Sequence, residues 1–289
     1  MKAGLDRRPN GVLHRFGILL VCLLTLPALA GPAADRKFQR ELHGIKGPQD
    51  QRLRMSATEF PWSAMGRLNN GQGGHCSATL IGPRLVATAA HCLWNNRTQR
   101  PMPVTAFTFV AGFDRGEYLK ASKVTALHPA PAWVFTTEQQ TLATRANDWA
   151  LLELEEPVGD SIGWVALAEP KVGMTVAIAG YGKDKAFVPL AHLGCHLTEQ
   201  PLPGVLFHDC DAVQGESGGP VFGWIGGQLR LVAINVAVIP SRGELGVAAS
   251  IAPMAAPAAR LGAATITRSG PLSQPSSLDL AEILRPTGR

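Results

Sequence analysis

Between about residue 60 and about residue 259 the chain breaks into short, β-branched apolar runs separated by Gly, Pro or Asn. Residues 78–81, 85–88, 107–110, 150–154, 175–179 and 229–236 are such runs. Strands of this length and punctuation build antiparallel sheets closed into barrels or sandwiches. No βαβ rhythm is present, no internal repeat of fixed period is found, and only residues 89–94 and 250–261 look helical. Composition agrees with an all-β fold. Aromatic residues are only 6%, whereas 31 Gly and 22 Pro supply frequent corners. The excess of hydrophobic residues (46%) over charged ones (17%) provides a buried core and excludes disorder throughout.

The ends differ from the middle. Residues 1–30 read as a signal peptide: a basic stretch ending at Arg15, an apolar run from Phe16 to Leu26, and Ala28-Leu29-Ala30 as the cleavage site. The apolar run is too short to span a bilayer. Residues 31–55 are polar and mixed in charge, as expected of a propeptide or N-terminal arm. Residues 56–262 form the expected folded domain, and residues 263–289, rich in Ser, Pro and Gly, are expected to be a flexible tail. The formal charge of +5 arises largely at the start. Without the first 30 residues, 23 basic and 21 acidic residues remain. That balance gives no case for nucleic acid or anionic membrane as a partner. A monomer, secreted or periplasmic and free of membrane after signal cleavage, is expected.

Export bears on the cysteines. Cys22 lies in the signal segment, leaving Cys76, Cys92, Cys195 and Cys210. An even number in an oxidising compartment favours two disulfides. Three connectivities are possible, of which Cys76–Cys92 and Cys195–Cys210 are the simplest. Each would close a loop of about 15 residues, worth roughly 3 kcal/mol in the chain-entropy account. His75, His91, His196 and His208 lie near these cysteines, but the spacings are not those of tight zinc motifs, so no metal is expected.

Three segments carry chemistry. In Thr88-Ala89-Ala90-His91-Cys92 a run of small residues leads into a histidine beside a cysteine. In Asn147-Asp148-Trp149-Ala150 an aspartate opens an apolar segment, where burial requires hydrogen-bond donors for its carboxylate. In Gln214-Gly215-Glu216-Ser217-Gly218-Gly219-Pro220 glycines flank a serine, so the backbone can turn sharply and bring its N–H groups close to a substrate. Taken alone, each segment could be an ordinary turn or loop.

Together, in the order His, Asp, Ser, they resemble the chymotrypsin-like serine peptidases. The resemblance runs from Phe60-Pro61-Trp62-Ser63 to about Ile251 and includes Gly180-Tyr181-Gly182. Asp50 and Arg52 ahead of it, the compact spacing from Asp148 to Ser217, and Asp209-Cys210-Asp211 are similar to the bacterial glutamyl-endopeptidase-like branch. The resemblance implies two packed six-stranded antiparallel β-barrels with a C-terminal helix and a site between the barrels. It implies a serine endopeptidase in which Ser217 is the nucleophile, His91 the general base and acid, and Asp148 the group orienting the imidazole. The N–H groups of Gly215 and Ser217 would form the oxyanion hole. The partner implied is a protein or peptide substrate, and the mechanism needs no cofactor. The alternative is a catalytically silent peptidase fold used as a binding module.

Departures from the family pattern concern Glu216 and the primary pocket. Glu216 stands where most members have aspartate, and no Ile-Val-Gly-Gly start follows an arginine, so Glu216 either pairs with a nearby base or faces solvent. Asp211, six residues before Ser217, is either a specificity acid for Arg or Lys side chains or a structural residue beside Cys210. Asn235 sits where glutamyl-specific members carry a histidine, and residues 235–238 lack the glycines that open the pocket wall. Residues 235–237 are expected to pair with extended substrate backbone.

Overall fold

The computed structural model describes residues 42–136, 140–275 and 279–285. The expected signal peptide and the first part of the expected arm lie outside the described residues. Six strands, β1 (Met65–Asn69), β2 (His75–Gly82), β3 (Leu85–Thr88), β4 (Thr108–Ala111), β5 (Lys120–Pro129) and β6 (Ala150–Leu154), close a first antiparallel barrel. Six more, β7 (Thr175–Gly180), β8 (Leu190–Leu202), β9 (Val205–His208), β10 (Pro220–Ile225), β11 (Gln228–Ile239) and β12 (Leu245–Ser250), close a second. Around the first barrel the order is β1-β2-β3-β6-β5-β4; around the second it is β7-β8-β9-β12-β11-β10. The two halves therefore share one topology. Closure leaves no long unpaired edge in either barrel.

Both barrels are filled from the apolar runs. Leu68, Leu80, Val86, Phe109 and Leu151 are buried in the first, and Val176, Ile178, Leu197, Val221 and Val232 in the second. Each such side chain contributes roughly 1.5–3 kcal/mol by leaving water. The helix Ala252–Arg260 follows β12 and buries Met254 and Ala258. The sequence placed β3 and β6 by residue and β2, β4, β7 and β11 in part. It hid β5 and β8, because strands exposed on one face carry Lys, His, Glu and Gln among their apolar residues.

The segment after residue 262 departs from the flexible tail expected of its composition. Arg268–Ser269 pairs antiparallel with Gly163–Trp164, and the Arg268 guanidinium lies 4.6 Å over the Trp164 ring. Gln274–Pro275 runs parallel to Glu59–Phe60, and Leu280 and Leu284 are buried. Two leucines and a few backbone pairings outweigh a Ser- and Pro-rich composition. At the other end, the described part of the arm lies on the second barrel, with Leu53–Arg54 pairing to Ala191 and Leu190 of β8. Among the described residues no helix is long and apolar enough to cross a membrane.

Candidate active site

Strands β3 and β6 are antiparallel, with Thr88 opposite Ala150. The residue three beyond the end of one strand and the residue two before the start of the other are thus brought to the same edge. These are His91, on the short 3-10 turn Ala90–Leu93, and Asp148. His91 Nδ1 donates to Asp148 Oδ2 at 2.8 Å, and the His91 backbone N–H donates to Oδ1 at 2.9 Å. Arg145 Nη1 donates to Oδ2 at 2.6 Å. Asp148 is wholly buried, while the His91 side chain keeps 28% of its surface exposed. Burial opposes ionisation of Asp148, but His91 and then Arg145 outweigh it and hold its pKa below the ordinary carboxylate value. Arg145 ends the turn Leu142–Arg145, whose start is capped by Thr141. The sequence did not mark it, because an arginine three residues before an aspartate is common on any surface.

Ser217 lies in the loop between β9 and β10. Gly215 has φ +101°, and a Cβ there would stand 2.7 Å from Lys183 N and 2.8 Å from Tyr181 O, so only glycine fits. Among the described residues the N–H groups of Gly215 and Ser217 donate to no acceptor, whereas Glu216, Gly218 and Gly219 all do. Ser77 of the first barrel grips this loop. Its N–H donates to Ser217 O at 2.8 Å, its hydroxyl donates to Gly215 O at 3.4 Å, and that hydroxyl accepts from Tyr181 N–H at 2.9 Å. Glu216 points inward and is buried: Arg52 Nη1 donates to Oε1 at 2.6 Å and Val213 N–H to Oε2 at 3.1 Å. Of its two expected fates, pairing with a base is the one found. Ser77 carries no sequence motif and Arg52 was noted only in passing beside Asp50, because the contacts that tie them to the Ser217 loop span more than a hundred residues.

His91, Ser217 and Asn235 line one cavity of about 670 Å³. Its wall on the second barrel includes Val236, Ala237 and Val238 of β11. Strand β10 pairs with β11 as far as Pro220 opposite Ile234. Asn235 is then held by the Ser217 loop, its N–H donating to Gly219 O at 3.0 Å and its O accepting from Gly218 N–H at 2.8 Å. The cavity side of β11 therefore opens at Val236 and not at Asn235, where substrate pairing had been expected. Asn235 Nδ2 donates to Glu216 O at 3.4 Å, while its buried Oδ1 has no partner.

Asp211 is not on this cavity, which corrects its expected place among the substrate-binding residues. Its carboxylate accepts from Lys46 N–H and Gln51 N–H, each at 2.9 Å, and the side chain is 2% exposed. Both oxygens are taken by the arm. Cys76 is bonded to Cys92 and Cys195 to Cys210, so the sulfurs near His91 and Asp209 are disulfide sulfurs rather than thiolate ligands. The first bridge ties β2 to the turn that carries His91.

Two closed barrels of one topology, with a histidine–aspartate pair and a serine lining one cavity, define a two-barrel chymotrypsin-like protein. The trypsin family profile matches residues 52–256, and the chain belongs to that family. The glutamyl endopeptidase of Bacillus licheniformis is 27% identical over 191 residues, covering 64% of this chain and 57% of its own. Venom serine protease 34 of Apis mellifera is 27% identical over 214 residues, covering 65% of this chain and 51% of its own. The chain thus spans little more than half the length of these relatives. A solved Glu endopeptidase in complex with MPD shares the fold with a TM-score of 0.63 and 17% identity, over 75% of this chain and 98% of that one.

Proposed function

We propose that this chain is an exported serine endopeptidase that cleaves protein or peptide substrates through an acyl-enzyme intermediate. The observation that carries this reading is the His91 Nδ1 contact to buried Asp148, opening on the cavity that Ser217 also lines. His91 takes the Ser217 proton as the hydroxyl attacks the scissile carbonyl, then gives it to the leaving amine. Asp148 fixes the tautomer of the ring and stabilises its protonated form. The unused N–H groups of Gly215 and Ser217 receive the oxyanion. The open side of β11 at residues 236–238 supports pairing with extended substrate backbone. With Asp211 bound to the arm, that residue supplies no acid for an Arg or Lys side chain. The two disulfides support export.

A fluorophosphonate probe tests this directly. Ser217 is expected to be labelled in the folded wild type and unlabelled in Ser217→Ala. A folded wild type that resists the probe from pH 6 to 9 would instead mark a silent binding module.

A further inference from the structure

Arg52 lies in the arm, yet its guanidinium is among the most buried charged groups of the described chain. Its side chain is 1% exposed, and it meets three carboxylates: Asp50 Oδ2 at 2.9 Å, Asp184 Oδ2 at 2.7 Å and Glu216 Oε1 at 2.6 Å. Space for this contact is kept by two glycines. A Cβ on Gly180 would stand 2.8 Å from Glu216 Cγ, and one on Gly182 would stand 2.9 Å from Arg52 Nη1. The arm is clipped to the second barrel on both sides of Arg52. Before it, Gly44 O accepts from Ala212 N–H at 3.0 Å and Asp211 takes the Lys46 and Gln51 amides; after it, Leu53 pairs with Ala191.

Glu216 sits between the two amides whose N–H groups are unused. Its own N–H donates to Val213 O at 3.1 Å, and its carboxylate accepts from Val213 N–H, so the turn 213–217 is wound around this one side chain. Burial pushes the Glu216 carboxyl up to about 7, and Arg52 opposes that rise. Without the guanidinium, a buried acid would be left uncompensated, and it would swing out or protonate. Either change would release the turn.

We propose that Arg52 is a positioning residue: docked by the arm, it holds Glu216 and thereby aims the N–H groups of Gly215 and Ser217 into the cleft. This rests on the serine-peptidase reading and adds to it. Residues 42–54 are then a retained part of the working enzyme rather than a discarded propeptide, and the counter-charge comes from within the chain rather than from a newly cut chain end.

The experiment uses the full chain and two readouts. First, kcat and KM are measured for Arg52→Gln, Arg52→Lys and, as a control, Arg54→Gln. Arg54 is a half-exposed neighbour that pairs with Asp114. Loss of the aim should lower kcat about a hundredfold in Arg52→Gln with KM little changed, as for a lost oxyanion donor. Arg52→Lys should recover part of it, and Arg54→Gln should match the wild type. Second, the fluorophosphonate-labelled species is weighed by mass spectrometry. It should retain Arg52, and this readout stands even if Arg52→Gln does not fold. A labelled species beginning beyond residue 52, or an Arg52→Gln enzyme with full kcat, would overturn the proposal while leaving Ser217 as the nucleophile. No label on the wild type would overturn the peptidase reading and this proposal together.

Discussion

Arg145 Nη1 stands 2.6 Å from Asp148 Oδ2, the oxygen that also faces His91 Nδ1 at 2.8 Å. One carboxylate oxygen is therefore shared between a permanent cation and the proposed catalytic ring. Arg145 also lines the cavity, so this guanidinium reaches Asp148 from the cavity side. Hydrogen bonds to charged groups are worth about 1.5–3 kcal/mol, and roughly 1.4 kcal/mol is tenfold in rate. Arg145→Gln should lower kcat about tenfold or more with little effect on KM, and Arg145→Lys should restore part of the loss. An unchanged kcat would mean that His91 alone suffices to hold Asp148.

Asp211 separates a structural role from a specificity role. Asp211→Asn leaves one oxygen to accept two backbone amides and removes the charge that both now use. A drop in stability of about 1–3 kcal/mol is expected, read as a shift in the urea midpoint. The cleavage profile over a peptide library should keep its order of side-chain preference. A selective loss of cleavage after Arg or Lys would instead place Asp211 in the pocket.

His208 makes the protein acid-sensitive. Its ring is fully buried, neither nitrogen makes a well-formed hydrogen bond, and burial lowers its pKa to about 3, with Lys46 adding to the effect and the nearby Asn235 and Cys210 backbone opposing it. The unfolded imidazole takes up a proton below about pH 6.5, while the folded one stays neutral. The depressed folded value means that this group's full contribution to stability is present above about pH 6.5. It is lost as pH falls toward about 3, at roughly 1.4 kcal/mol per unit. His208→Phe should flatten that part of the pH dependence in urea titrations at pH 7 and pH 5. Equal slopes in the two proteins would assign the acid sensitivity elsewhere.

The bridge between Cys76 and Cys92 holds the His91 turn to β2. Its removal in Cys76→Ala/Cys92→Ala should cost about 3 kcal/mol, as for a loop of that length. Peptidase activity should be lost on heating before the tryptophan fluorescence transition. Coincident losses would show that the turn stays ordered without the bridge.

Much of this site was legible in the chain. His91, Asp148 and Ser217 each lie in a short segment that could alone be an ordinary turn, and it was their joint occurrence, in an order that matched a known arrangement, that marked them. Asp211 was left between a specificity and a structural role because the groups that occupy it are plain amides of Lys46 and Gln51, which leave no mark in a side-chain pattern. Arg52, 164 residues from Glu216, and Ser77, 138 from Gly215, depend wholly on tertiary packing. The tail was misread because Leu280 and Leu284, embedded in a polar stretch, acquire meaning only once a surface exists for them to cover.

The Ser77 hydroxyl touches the backbone of both Tyr181 and Gly215, across the seam between the halves. For protein engineering this makes the second barrel a poor transplant. Grafted onto a foreign first half, it would carry Ser217 along but leave behind the small hydroxyl that steadies the Ser217 loop. The heritable module is the joint itself, and a workable chimera must inherit both lips of it.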